Sequence, residues 1–379
     1  MSSTNAEATA VLKTSQTEEV GSSTDLTDQS RVSPDSSGGP WSPAKFVLAP
    51  GEYLHDCVGK DEMTLETFAR RLSAMNVYRV FFDYTTVIAK DQKDVAITFE
   101  KYPNENRYRD IRCLDNTRVK IQDSTHDYIH ANYVDGFREN KKFILAQAPL
   151  EQTVEQFWSM IWQEKTVMIV CLTPLDGVHC YRYMPTQSGG KLTIGTKNQY
   201  HIVHMGTTHV RDTYDATHLM VCKNNEPARK ILHLCFYTWP DKGTPLRPTE
   251  LLYFIADINY NRDLLVKDAI SKGWLSNEPG TTAPILVHCL AGVGRSGALV
   301  TIDICCRKLD YTHGTASGPL CDVKNTVLRI RTQREMAVQK PEQYLFVHLS
   351  VIEYALRHRY FSNIDCVDVF SFFAGGYDE

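Results

Sequence analysis

Val287-His288-Cys289-Leu290-Ala291-Gly292-Val293-Gly294-Arg295-Ser296-Gly297 carries an apolar strand, Ile285 to Val287, straight into a glycine-bearing loop. Arg295 and Ser296 then open a helix, so the local plan is strand, loop, helix. Glycines at 292 and 294 let successive backbone N–H groups converge on one concavity. The helix start adds partial positive charge. Leu290, Ala291, Gly292, Val293 and Gly294 are therefore predicted to cradle a tetrahedral dianion. Cys289 stands at the base of that cradle, where N–H groups, helix end and Arg295 all favour thiolate; such settings bring a cysteine pKa to roughly 3.5–7.5. A thiolate beneath a bound phosphoryl group is a nucleophile aimed at phosphorus. Arg295 supplies planar paired donors that match phosphate oxygens. A lone cysteine after a strand would be read as an inert core residue. Cys, five residues, Arg and Ser in series argue instead for the nucleophile. A nucleotide-binding P-loop is excluded, since no Gly-Lys-Ser/Thr follows.

Outward from this loop, apolar runs of strand length lie at Val167 to Leu172, Leu219 to Cys222 and Ile231 to Phe236. Helical spacing marks Glu250 to Lys267, where Leu251, Leu252, Phe254, Ile255 and Ile258 recur, and also Val300 to Leu309 and Tyr344 to Leu356. Thr64 is placed to cap a helix whose face holds Leu65, Phe68, Ala69 and Leu72. Strands mixed with helices predict an α/β fold: a single domain with a central mixed, twisted β-sheet flanked by helices. Its boundaries are drawn at 46 and 362, with order beginning between Phe46 and Thr64. Residues 1–45 are rich in Ser, Thr, Asp, Glu and Gly and read as a disordered polar tail with Ser33-Pro34 and Ser42-Pro43 in it. Residues 363–379 form a C-terminal tail of no legible role.

The bulk numbers exclude several classes. Hydrophobic residues make up 42% and charged residues 23% of 379, ordinary for a globular chain. A formal net charge of −4 is no electrostatic match for nucleic acid, so attraction for an anion must be local. Eleven cysteines without regular spacing, and no apolar run after Met1, point to a reducing compartment. No run approaches the roughly 18 apolar residues of a membrane span. The expectation is a soluble, cytoplasmic protein.

With these residues in view, His288-Cys289 through Arg295-Ser296 resembles the HC-x5-R-S/T signature of the protein tyrosine phosphatases. Trp239-Pro240-Asp241-Lys242-Gly243 resembles that family's mobile WPD loop, and Asp241 is a suitable proton donor for a leaving oxygen. Asn106-Arg107-Tyr108-Arg109-Asp110 resembles its phosphotyrosine-recognition loop. The resemblance implies that Tyr108 walls a deep slot and Asp110 holds the substrate backbone. Val338-Gln339-Lys340-Pro341-Glu342-Gln343-Tyr344 resembles its glutamine loop, with Gln339 orienting the hydrolytic water and Gln343 beside it. Ser296 is implied to stabilise the departing thiolate. Arg331 and Arg334, just upstream, read as partners of buried carboxylates. Asp127 to Tyr133, Phe143 to Leu150 and Phe157-Trp158 fit the family in order, so the likeness runs from about Asn106 to His348.

Departures are few. Leu290 replaces a usual Ser, His179 a common Lys, Met184 a Trp and Ala148 a Gly. Asn277-Glu278-Pro279-Gly280 suggests an extended loop near the site. The implied activity is hydrolysis of phosphotyrosine in proteins through a cysteinyl-phosphate, with no cofactor and no metal. Tyrosine-phosphorylated proteins are the implied partners, and oligomeric state is unassigned. Three alternatives remain open: a dual-specificity or lipid phosphatase, a phosphotyrosine-binding pseudophosphatase, and a cysteine protease. The last requires His288 to reach Cys289, although adjacent residues of an extended segment point to opposite faces.

Overall fold

The structure is a computed structural model that describes residues 54–55, 62–90, 94–122, 124–177, 180–240, 243–278, 281 and 283–362. Both tails, Asp241, His179, Pro279 and Gly280 lie outside the described residues. Chain order begins with β1 (Met63–Thr64) and α1 (Leu65–Ala74). Thr64 caps α1 as its sequence suggests, its hydroxyl accepting the Thr67 N–H, and Leu65, Phe68, Ala69 and Leu72 are buried. Asn76 then caps α2 (Val77–Asp83), which runs into a π-turn at Tyr84–Ile88, and α3 (Ile97–Lys101) follows.

The hairpin β2 (Ala131–Gly136) and β3 (Glu139–Ala146) leads to α4 (Val154–Gln163) and β4 (Met168–Cys171). Next come β5 (Lys191–Ile194), β6 (Tyr200–Val210), β7 (Tyr214–Lys223) and β8 (Arg229–Phe236). Then α5 (Pro248–Ser271), β9 (Ile285–His288) and α6 (Gly294–His313) bracket the phosphate loop. The last elements are β10 (Leu320–Cys321), which pairs with β1, then α7 (Val323–Arg331) and α8 (Pro341–Arg357).

Among the described residues one sheet holds eight strands in the order β2-β3-β9-β4-β8-β7-β6-β5. Its middle is parallel: β9 lies between β3 and β4, and β4 lies beside β8. The flanks are antiparallel. Parallel strands are covered on both faces, which is why β4 and β9 are apolar without alternation. Their side chains still alternate between two cores. Leu145, Val170 and Val287 join the core under α5, α6 and α8. Ile144, Ile169 and Leu286 join the core under α4, with Phe157 and Trp158. Each fully buried aliphatic contributes about 1.5–3 kcal/mol, so β9 is pinned from both sides.

One expectation is corrected here. Asn277 and Glu278 follow α5 and precede β9, so they feed the amino end of the strand that ends at His288. The strand separates them from the phosphate loop, because a ligand in such a sheet sits beyond the carboxyl ends.

Candidate active site

Residues 289–294 link the carboxyl end of β9 to the start of α6. No side chain caps α6, whose Ncap position is Val293. The unsatisfied N–H groups of its first turn are left for a ligand. The loop carbonyls, by contrast, are all spoken for from outside. Leu290 O accepts the Ala148 N–H at 2.9 Å, and Val293 O accepts the N–H groups of Val338 and Gly297, each at 3.0 Å. Ala291 O and Gly292 O accept from the Arg334 guanidinium at 2.8 and 3.1 Å. With its carbonyls drawn outward, the loop must turn its N–H groups inward.

Two glycines make this path feasible. Gly292 has φ +70°, and a Cβ there would lie 2.0 Å from Ala146 O. A Cβ on Gly297 would lie 2.5 Å from Val338 N, so α6 could not rest against the chain before Gln339.

At the loop's floor, Cys289 is buried, and the Gly292 N–H donates to its sulfur at 3.2 Å. Burial pushes the thiol up. The Arg295 charge, the Ser296 hydroxyl and N–H and the Gly292 N–H outweigh it, and the balance falls below an ordinary cysteine. Arg295 is itself buried, so its charge acts on the sulfur with little screening. The buried Ser296 hydroxyl makes no conventional hydrogen bond among the described residues, which leaves it for the sulfur. His288 does not approach that sulfur: its Nε2 meets the Tyr183 hydroxyl and its Nδ1 the Cys289 carbonyl. That removes the Cys–His pair a protease would need.

The flanking loops are tied to the same scaffold. The Arg107 N–H donates to Gln147 Oε1 at 2.9 Å, and its guanidinium reaches the carbonyls of Ala148 and Pro149. Ala148 therefore bonds the phosphate loop through its N–H and the Tyr108 loop through its carbonyl. Tyr108 is 37% exposed, open enough to wall a slot. Asp110 and Gln339 line one cavity of about 680 Å³ together with Arg112, Glu335 and Met336. Gln343 is buried: its Oε1 accepts the N–H groups of Gln339 and Lys340 at 3.0 and 3.3 Å. It thus holds the glutamine loop from beneath. Trp239 is buried against Phe346, its Nε1 donating to Gly243 O at 3.2 Å, so the ends of the Asp241 loop are anchored.

Arg331 and Arg334 depart from expectation, because their hydrogen-bond partners are carbonyls, an amide, a phenol and an imidazole, not carboxylates. Arg331 donates to Ile88 O, Ala337 O and Val338 O. Arg334, wholly buried, also donates to Asn132 Oδ1 at 2.7 Å and to His130 Nδ1 at 3.1 Å. His130 can accept there because its Nε2 carries the proton towards Ile111 O at 2.9 Å. Residue-by-residue reading missed His130, Asn132 and Arg334 as loop holders, and also Tyr84, whose hydroxyl donates to Val338 O. A signal was present: His130 directly precedes β2 and Asn132 lies within it, and residues two apart along an extended chain share one face.

A family model described as protein-tyrosine phosphatase matches residues 102–353. The chain is 35% identical over 261 residues to human tyrosine-protein phosphatase non-receptor type 9, across 66% of this chain and 42% of that one. It is 33% identical over 278 residues to the probable tyrosine phosphatase protein N1 of Microplitis demolitor bracovirus, across 71% and 81% respectively. The crystal structure of the catalytic domain of human protein tyrosine phosphatase non-receptor type 18 matches with a TM-score of 0.63 at 25% identity, covering 76% of this chain and 98% of that one. The chain spans less than half the length of the human type 9 relative.

Proposed function

The chain belongs to the protein-tyrosine phosphatase family, and from that membership we propose that it hydrolyses phosphotyrosine in proteins through a cysteinyl-phosphate. The observation that carries the proposal is the phosphate loop. Its carbonyls are bound outward, its thiol is held towards thiolate by Arg295, Ser296 and Gly292, and the free end of α6 faces the same space.

The mechanism follows from these groups. Phosphotyrosine enters beside Tyr108, deep enough for its phosphorus to meet Cys289, and Asp110 holds the peptide backbone. Arg295 and the N–H groups of residues 290–294 grip the phosphoryl oxygens. Cys289 thiolate attacks in line while Asp241, outside the described residues, protonates the tyrosyl oxygen; such acid help is worth about 10²–10⁴-fold. Gln339, braced by Gln343, orients water against the cysteinyl-phosphate. Asp241 takes the water proton, and Ser296 stabilises the returning thiolate. No cofactor enters the scheme.

We assign residues 46–362 to the catalytic domain and 1–45 and 363–379 to its tails. No helix among the described residues is long and apolar enough to cross a membrane. Cytoplasmic action is the reading that fits irregular cysteines and a non-receptor relative.

The test is turnover of a phosphotyrosine peptide by the purified chain, beside Cys289→Ser and a phosphothreonine peptide. Hydrolysis of phosphotyrosine alone, lost in the variant, is expected. Equal turnover of both peptides would replace the reading with dual specificity. Tight binding without turnover by the unaltered chain would make it a pseudophosphatase.

A further inference from the structure

Two thiols that the mechanism leaves unused meet at the carboxyl ends of the parallel strands. Cys235, next to the last residue of β8, is registered with Cys171, the last residue of β4. Registered residues of paired strands stand side by side on one face. The two sulfurs converge on one acceptor: Thr173 O takes the Cys171 S–H at 3.0 Å and the Cys235 S–H at 3.7 Å. They also touch each other. Both are free thiols, Cys171 buried and Cys235 half-buried.

The placement suits a covalent bond. Paired strands lie about 4.7–4.9 Å apart, inside the roughly 4.4–6.8 Å that separates the Cα atoms of a disulfide. On its other flank Cys235 faces Asp215 of β7, which has no sulfur to offer. Beyond Cys235 the chain leaves the sheet: β8 ends at Phe236, and Trp239 and Asp241 follow. Cys235 therefore stands in the stem of the acid loop, and Cys171 in the strand between that stem and β9.

We propose that Cys171 and Cys235 are a second oxidation site, separate from the nucleophile: under peroxide they form a reversible disulfide that ties the stem of the Asp241 loop to β4 and slows turnover. Hydrogen peroxide meets the half-buried Cys235 first. The sulfur attacks one peroxide oxygen, the O–O bond breaks, and Cys235 becomes a sulfenic acid as water leaves. The Cys171 sulfur then attacks the Cys235 sulfur. An S–S bond forms as the S–O bond breaks, and the Cys171 proton departs with the hydroxyl as a second water. The two thiols have given two electrons to the peroxide.

Burial holds the Cys171 thiol well above its ordinary range. It therefore resolves the sulfenic acid as a neutral thiol that hands its proton to the leaving hydroxyl, and it is not the sulfur that peroxide attacks. The disulfide draws the two β-carbons to about 3.8 Å, closer than the spacing of paired strands. It also strips both S–H donors from Thr173 O. The acid-loop stem is pulled towards β4, while β9 and α6, which build the phosphate cradle, carry neither cysteine. The expected signature is a lower kcat at unchanged KM.

The effect on turnover rests on the phosphatase reading, but the bond itself does not. Full-length Cys289→Ser is treated with hydrogen peroxide, its remaining thiols are blocked with N-ethylmaleimide, and unreduced peptides are sequenced by mass. A Cys171–Cys235 link that dithiothreitol removes is expected. A link from Cys235 to Cys180, the third thiol of this neighbourhood, or Cys235 oxidised with no link, overturns the inference. In the second arm the unaltered chain and Cys235→Ser are oxidised while inorganic phosphate shields Cys289, and rates are counted per Cys289 still open to iodoacetate. On a phosphotyrosine peptide the unaltered chain should lose at least about tenfold in kcat, part of the about 10²–10⁴-fold an aligned acid supplies, and dithiothreitol should restore it. On p-nitrophenyl phosphate, whose leaving group needs less acid help, the loss should be smaller. Cys235→Ser should match the reduced parent before and after peroxide; if it fails to fold, Cys171→Ala takes its place. A linked chain with unchanged kcat, or a variant that loses as much as the parent, overturns the inference. A reduced, unaltered chain that forms the link yet hydrolyses nothing strikes the phosphatase reading instead.

Discussion

Replacing Arg334 by methionine removes the clamp on the phosphate loop while keeping a long, buried side chain. The guanidinium makes four bonds: to Ala291 O, Gly292 O, Asn132 Oδ1 and His130 Nδ1. The two on loop carbonyls are charge-assisted, about 1.5–3 kcal/mol each. Together they favour the outward-carbonyl loop by about 3–6 kcal/mol, with the lower figure equal to about 10²-fold in rate. Arg334→Met should therefore lower kcat/KM on a phosphotyrosine peptide at least about 10²-fold. Stability should fall by at least about 3–6 kcal/mol, since Asn132 and His130 lose a partner as well. The paired assays are steady-state kinetics and urea unfolding with the slope held in view. Arg334→Lys, with one compact donor head in place of a fork, should fall between. A methionine variant that unfolds earlier yet keeps kcat/KM within threefold would refute the reasoning, because the loop would then hold its shape without the clamp.

Gly292→Ala should cut turnover at least about 10²-fold in a protein that still folds, since φ +70° and a carbonyl 2.0 Å from the new Cβ leave no room; peptide kinetics with circular dichroism checks it. Tyr108→Ala should raise KM for a phosphotyrosine peptide about tenfold, the size of a lost aromatic contact of about 1.5 kcal/mol, while kcat changes little. Asp303→Asn should destabilise by about 3–5 kcal/mol, because the buried Lys142 ammonium, 2.6 Å away, loses its counter-charge. In the parent, Lys142 and Arg307 outweigh burial and hold the Asp303 carboxyl down to about 2. The unfolded chain therefore binds that proton first, near 3.9. Stability supplied above about 4 is lost as pH falls towards 2, and an acid titration of unfolding should show that loss in the parent and not in the variant.

Much of this site is legible before folding because its chemistry is local. Cys289 to Ser296 fall within one loop and the first turn of α6, so residue type and spacing alone specify cradle, thiol and cation. Of the four strands read from the sequence, β4, β8 and β9 take part in the parallel middle of the sheet, where apolar residues run without alternation, as at Met168–Cys171 and Ile285 to Val287. What escaped was long-range and polar. Arg334 reaches back to His130 and Asn132 across the sheet, and an arginine's acceptors cannot be read from its neighbours in sequence. Buried arginines suggested carboxylates, yet a loop with its carbonyls turned out offers acceptors of its own. The polar strands β5 and β6 escaped for another reason. β5 is the edge strand and β6 its neighbour, and partial exposure there dilutes the apolar signal.

The position of β9 also sets a timetable for synthesis. Ile285 pairs with Phe143 on one side and Met168 on the other, so β3 and β4 must wait as non-neighbours for a strand made much later. Such late insertion is slow and keeps strand edges open in the meantime. A ribosome-bound chain that has completed both hairpin flanks still lacks its central strand, and the thiol follows that strand immediately. Synthesis of the turn after α7, which supplies Arg334, then closes the loop. The loop around the thiol is thus clamped only after the chain as far as Arg334 has been made.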